Sequence, residues 1–415
     1  MDAPTVPEGT LYTHMTARII VLGYLIRGPL GGIVWHHLQY VAGLRKLGHD
    51  VYFIEDSDNY PSCYDPSQQA MTTDPSFGLR STADLFAKFG LEERWAYYDE
   101  HTGSWLGPCA SSAVDLFRTA DLLLDISGVN PIRSWTLYPT HRALIDTDPV
   151  FTQVRLLCSP EKMEAAAMHS SFFTFAENIG KPDCLIPGEG FQWMPTRQPV
   201  VLDAWQVTPG HPDGNFTTVM HWDSYRPVEY GGKAFGMKSA SFGPYIDLPE
   251  RVQSRLELAV GGPGAPRDTL SSHGWIVRNP LEIIPDPSSY QTYIRQSKAE
   301  FTVAKHGYAI SRSGWFSERS AAYLASGRPV ITQDTGFGDW IDTDSGLLSF
   351  DSPESAADAI ARVDCDYAAH CRRARAIAEE VFDSNAVLTS LIERATQIPA
   401  TSPRPEHSGV CGSNA

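Results

Sequence analysis

The chain has 415 residues, with 33 Lys and Arg against 49 Asp and Glu for a formal net charge of −16. At roughly 100–200 residues per domain this length argues for two domains, and 42% hydrophobic with 20% charged residues excludes global disorder. The acidic balance disfavours a protein that wraps nucleic-acid phosphate or coats an anionic membrane surface, although it leaves room for a locally positive pocket.

The leader, residues 1–16, holds Asp2, Pro4, Pro7 and Glu8 and lacks the basic and apolar regions of a signal peptide. Residues 18–23 then read as a short buried strand. A loop with Gly28-Pro29 and Gly31-Gly32 follows, and Val34, Leu38, Val41, Leu44 and Leu47 recur at helical spacing. Gly48 stops that helix and residues 50–55 form the next strand, which completes a βαβ unit of a parallel sheet. Residues 58–77 carry three prolines and no period, so they read as one long loop. Further strands are expected at 120–127, 142–145 and 171–176.

The stretch 187–215, rich in Pro, Gly, Gln and Trp, marks a domain junction and divides the chain into units 17–205 and 206–398. A second alternating series follows, with strands at 217–220, 256–260, 301–303, 329–332 and 346–350. The helix at 318–326 stops at Gly327, with Pro329 just beyond. Asp351-Ser352-Pro353-Glu354 opens another with a cap, a first-turn proline and an early acid. The small, polar residues 399–415 read as a disordered tail. The expected class is α/β, with two Rossmann-like domains facing a cleft and ligands at the carboxyl ends of the strands.

No apolar run reaches the about 20 residues of a membrane helix. Seven scattered cysteines without a C-x-x-C pair suit neither a disulfide framework nor a zinc site, and point to a cytoplasmic protein with reduced thiols.

Several loops carry residues able to do chemistry. Gly31 and Gly32 open the first helix, where bare N–H groups attract an anion; a tight turn at positive φ is the alternative. No G-x-G-x-x-G is present, so a dinucleotide fingerprint is missing. Ser313, Gly314 and Ser317 crowd a helix start with Arg312 adjacent, as a phosphate site requires, and Glu318 in the first turn can accept ribose hydroxyls. Ordinary capping by Ser317 and a dipole role for Glu318 explain the same residues. Asp146-Thr147-Asp148 follows a strand and offers a cation pair, a general base or plain loop caps. His36 and His37 lie on the first helix, where a base near neutral pH competes with simple packing. Glu177 and Asn178 face the cleft from another strand end, and Trp222, Tyr225 and Tyr230 can stack on a ligand or merely pack.

The run Gly314-Trp315-Phe316-Ser317-Glu318, then Ala325-Ser326-Gly327-Arg328-Pro329-Val330-Ile331 and Asp334-Thr335-Gly336, resembles the donor-binding segments of GT-B nucleotide-sugar glycosyltransferases. Gly31-Gly32 through Leu47-Gly48-His49-Asp50-Val51 is similar to the N-terminal G-G…L-x-x-x-G-H-x-V of that class. The paired glutamates eight apart that many members carry are missing here. The resemblance implies a GT-B fold that moves a sugar from a nucleotide diphosphate to an acceptor oxygen or nitrogen. It implies donor contacts at Gly31, Gly32, Arg312, Ser313, Gly314, Trp315, Ser317, Glu318, Asp334, Thr335 and Gly336. Asp148 is then the preferred base, ahead of His36 and Asp146. Neither a metal nor a cofactor beyond the nucleotide sugar is expected. The acceptor is expected to be soluble and small, without nucleic acid or stable membrane insertion. A nucleotide-sugar epimerase of the same fold and a non-catalytic nucleotide-sugar-binding protein are the alternatives.

Overall fold

The computed structural model describes residues 16–398; residues 1–15 of the expected leader and the expected tail 399–415 lie outside it. The first sheet is built from β1 (Arg18–Leu22), β2 (Asp50–Asp56), β3 (Trp95–Asp99), β4 (Ser104–Leu106), β5 (Leu122–Ile126), β6 (His141–Asp146), β7 (Ser171–Thr174) and β8 (Trp193–Pro195). Its strand order is β8-β7-β6-β5-β1-β2-β3-β4. All neighbours are parallel except β4, which returns antiparallel along the edge of β3. The second sheet holds β9 (Phe216–His221), β10 (Leu256–Gly261), β11 (Ile276–Arg278), β12 (Ala299–Thr302), β13 (Val330–Gln333) and β14 (Leu347–Phe350), in the order β11-β10-β9-β12-β13-β14. Every pairing there is parallel. Two separate doubly wound sheets satisfy the expected α/β class.

Central strands are apolar on both faces because helices cover both sides of a parallel sheet. Ile19, Ile20 and Val21 of β1 are wholly buried, as are Leu122, Leu123 and Leu124 of β5. Helix α1 (Gly31–Lys46) buries Val34, Leu38, Val41 and Leu44, the residues whose spacing announced it. In the expected long loop the structure instead has a small hairpin, Cys63–Asp65 with Ala70–Thr72, and then a helix from Ser76. Hairpin arms of three residues are too short to show a period.

Helix α2 (Phe151–Leu157) follows β6. In the second domain lie α3 (Pro287–Gln296), α4 (His306–Ile310) and α5 (Glu318–Ala325). The last helix, α6 (Ser384–Gln397), packs against α1 and β6 of the first domain. Just before it, Asp383 bridges to Val200. The chain therefore crosses back, and α6 belongs by packing to the first domain although it falls in the 206–398 unit.

Candidate functional site

The carboxyl ends of the two sheets meet, and the first contact is steric. Gly31 and Gly32 sit within helical geometry and not at positive φ. A Cβ on Gly31 would lie 2.6 Å from Cβ of Tyr290 and 3.2 Å from the carbonyl of Asp286. These glycines thus admit α3 of the second domain against the start of α1. The close approach of Tyr290 gives these glycines a steric reason to lack a side chain.

The segment before α5 is likewise spent on the domain interface. Gly314 is at φ +73°, and its N–H donates to the carbonyl of Thr335 at 2.8 Å. A Cβ there would fall 2.8 Å from Cγ of Asn178. Asn178 Nδ2 donates to the carbonyls of Arg312 (3.2 Å) and Gly336 (2.8 Å), and its N–H donates to the carbonyl of Ser313 (3.1 Å). Ser313 Oγ, wholly buried, donates to the Tyr308 carbonyl and accepts the Trp315 N–H. Thr335 Oγ1 donates to the Trp315 carbonyl at 2.5 Å, and Asp334 Oδ1 accepts the Gly336 N–H at 2.8 Å. Ser313, Gly314 and Gly336 therefore meet Asn178 of the first domain, while Thr335 ties the loop to Gly314 and Trp315 within the second.

Arg312 is turned outward. Its Nε is 2.7 Å from Asp183 Oδ2, and Asp334 and Asp339 lie within 4 Å of its guanidinium. Three carboxylates thus balance the Arg312 charge expected to act on the leaving diphosphate.

Ser317 caps α5 by accepting the Arg319 N–H at 3.2 Å, as expected. Glu318, next in the helix, is half-buried. Its charge is felt by Tyr24, His36 and Tyr40 of the first domain, and by Lys238 and Tyr290 of the second. His36 lies edge-on to His37 (4.9 Å), Tyr40 and Phe175 (6.1 Å each). Its Nε2 is buried without a hydrogen-bond partner among the described residues, as is the Tyr40 hydroxyl. Burial lowers the His36 pKa, opposed by Glu318, so the ring favours its neutral form. His37 is more deeply buried, pairs through Nδ1 with the Ile33 carbonyl at 2.8 Å, and is held well below the usual histidine range.

The two aspartates are not free bases. Asp146, 1% exposed, accepts from Thr174 Oγ1 (2.6 Å), Gln153 Nε2 (2.8 Å) and the Asp148 N–H (2.9 Å). Of the readings open to it, loop capping is the one its contacts fill. Asp148 reaches across to the other domain. Its Oδ1 lies 2.8 Å from Lys305 Nζ, it accepts the hydroxyls of Tyr225 and Tyr308, and Arg155 is 3.6 Å away. Burial works against its charge, but Lys305 and those donors outweigh it and hold the carboxyl below the usual carboxylate range. A carboxylate so satisfied is a poor proton acceptor, which weighs against Asp148 as the base.

Sequence reasoning missed the cations of the cleft. Lys238 follows the hairpin Val228–Tyr230 with Lys233–Phe235. Burial, with Arg319 and Lys305 nearby, drives its pKa well below the ordinary lysine value, while Glu300 and Glu318 act in the other direction. Arg319 is itself anchored, to Glu300 at 2.5 Å, the Val219 carbonyl at 2.8 Å and Thr302 at 2.9 Å. A lone lysine in a loop far from any motif leaves no mark in one sequence. Among the described residues no group of three His, Cys, Asp or Glu is arranged to hold a metal, and no helix is long and apolar enough to cross a membrane.

No protein-family model matches the chain, and no curated protein does. Solved structures do. An alpha-glucosyltransferase in complex with UDP-glucose and DNA containing an abasic site is 12% identical, covering 92% of this chain and 100% of that one at a TM-score of 0.57. Sucrose-phosphate synthase from Thermosynechococcus elongatus is 13% identical over 93% and 100%, at 0.54. AviGT4, a glycosyltransferase involved in avilamycin A biosynthesis, is 13% identical over 93% and 99%, at 0.52. At such identities the likeness is one of fold, and that fold is GT-B, as the motifs implied.

Proposed function

We propose that this chain is a glycosyltransferase that moves a sugar from a nucleotide diphosphate to a hydroxyl of a soluble, uncharged acceptor. The observation that carries the reading is that Glu318, in the first turn of α5, lies close enough to His36 and Tyr40 of the first domain and to Lys238 of the second for its charge to act on all three. The similar structures were solved with UDP-glucose or UDP in several cases, which agrees with a nucleotide site on this fold.

Each residue has a part that follows from its surroundings. Lys238 is half-buried and stands near two other cations, Arg319 and Lys305, so an arriving diphosphate supplies countercharge to the group. The ammonium then stabilises charge as it develops on the leaving group. Glu318 accepts ribose hydroxyls in this reading. His36, whose ring favours the neutral form and whose Nε2 has no partner among the described residues, takes the acceptor proton as the sugar bond forms. Asp146 and Asp148 are occupied by protein donors, so the D-x-D triplet is not expected to carry a divalent cation and the reaction is expected to run without one.

The acceptor class rests on charge. At the strand ends of the first domain Arg27 pairs with Glu55 (3.1 Å), Arg133 with Asp56 (2.9 Å) and Glu100 (3.0 Å), Arg155 with Asp148 (3.6 Å) and Arg197 with Glu177 (2.5 Å). Binding a nucleic-acid backbone needs cations free to replace its counterions, and these are already neutralised. A neutral acceptor thus fits better than the DNA present in the alpha-glucosyltransferase complexes.

A thermal-shift panel of nucleoside diphosphates and their sugars tests the donor, since ligand at 100 times its Kd adds about 2.7 kcal/mol. Lys238→Met should abolish most of that shift. His36→Ala should lower turnover about 10²–10⁴-fold with donor affinity intact. No shift with any nucleotide refutes the reading, and transfer to a DNA duplex refutes the acceptor class.

A further inference from the structure

Lys305 is enclosed by three aromatic rings and one carboxylate drawn from both domains. Its Nζ lies 4.6 Å from the ring centre of Tyr225 and 5.1 Å from those of Phe151 and Tyr308. It donates to Asp148 Oδ1 at 2.8 Å and to the Tyr225 hydroxyl at 2.6 Å. Asp148, Phe151 and Arg155 belong to the first domain, while Tyr225, Lys305 and Tyr308 belong to the second. Lys305 begins α4 just past the carboxyl end of β12, close enough to Lys238 for its charge to depress that pKa. The cage therefore stands at the edge of the cleft assigned to the donor.

We propose that Asp148 is a positioning residue that holds Lys305 in the donor-free enzyme, where the donor diphosphate competes with it for that ammonium. This rests on the nucleotide-sugar reading of the cleft. When the domains part, Asp148 keeps Arg155, and Lys305 keeps Tyr225 and Tyr308. The open cleft then presents two cations, Lys238 and Lys305, to an anion. When they close, Asp148 brings a negative charge beside any phosphate held there, and like charges on one ammonium repel. The contact is a latch that the donor must loosen, and through it Asp148 sets donor affinity without touching the reacting atoms.

The competition fixes the sign of the test. UDP is titrated by calorimetry into the full chain, and the radius of gyration of the nucleotide-free protein is measured by small-angle scattering. Asp148→Asn should tighten UDP binding about fivefold or more, the lower end of ordinary coupling between ligands of one protein, and should enlarge the donor-free molecule. The gain should vanish in a Lys305→Met background, because Asp148 acts through that lysine. Should Asp148→Asn fail to fold, Tyr308→Phe removes only a hydroxyl donor to Asp148 and must shift affinity the same way. Unchanged or weaker UDP binding in these variants overturns the latch. Loss of UDP binding by the unmodified chain instead overturns the nucleotide reading, while the scattering comparison still judges the contact between the domains.

Discussion

Gly314→Ala separates a clamp from a phosphate cradle. The residue is held at φ +73°, a left-handed conformation that costs a residue with a Cβ roughly 1–2 kcal/mol. The new methyl would stand 2.8 Å from Asn178 Cγ, 2.9 Å from its backbone nitrogen and 3.0 Å from Nδ2. The backbone nitrogen cannot swing aside, and overpacking of that kind adds about 1–3 kcal/mol. The sum, about 2–5 kcal/mol, falls on the junction between loop 312–314 and the first domain. Thermal unfolding should show it as a Tm lowered by several degrees, at about 2–4 °C per kcal/mol for domains of this size. Asn178→Ala alone frees the carbonyls of Arg312 and Gly336 and is destabilising, at about 1–3 kcal/mol per buried unpaired group. In the Gly314→Ala background the same change relieves part of the clash, so its added cost should be smaller by about 0.5–3 kcal/mol. Unchanged Tm with weakened UDP affinity would refute the clamp and return Gly314 to the phosphate role that its motif implied.

Arg319→Met should destabilise by about 3–5 kcal/mol in denaturant melts, because Glu300, wholly buried, is left without its partner; adding Glu300→Gln should recover most of the loss. Arg312→Ala should leave UDP affinity unchanged in calorimetry and cost about 0–1 kcal/mol, since its ion pairs are at the surface. His37 has a folded pKa well below that of the unfolded chain, so below about pH 6.5 the unfolded chain binds more protons. Its contribution to stability is complete above that pH and is lost as the pH falls toward the folded value; Tm plotted against pH should flatten there in His37→Gln. Turnover should survive EDTA, and loss of activity restored by Mg²⁺ or Mn²⁺ would reopen the D-x-D triplet at Asp146 and Asp148.

Alternating strands and helices, the amphipathic face of α1 and the stop at Gly327 were all legible in the chain, and with them the two-sheet α/β architecture. Such signals are local: a period of 3.6, a buried apolar run and a capping residue each act within a few neighbours. The motif near 314–336 likewise identified the right fold and the right pair of helix and strand. What those residues do was decided elsewhere. Gly314 answers to Asn178, Gly31 to Tyr290, and Asp148 to Lys305, Tyr225 and Tyr308. Each partner is more than seventy residues away and in the opposite domain. A glycine needed for close approach and one needed for phosphate read alike along the chain, as do a free carboxylate and a satisfied one. Only the meeting of the two sheets sets burial, neighbouring charge and vacant donors. Those quantities tied the expected base to Lys305 and brought Lys238, which no motif marks, near Glu318.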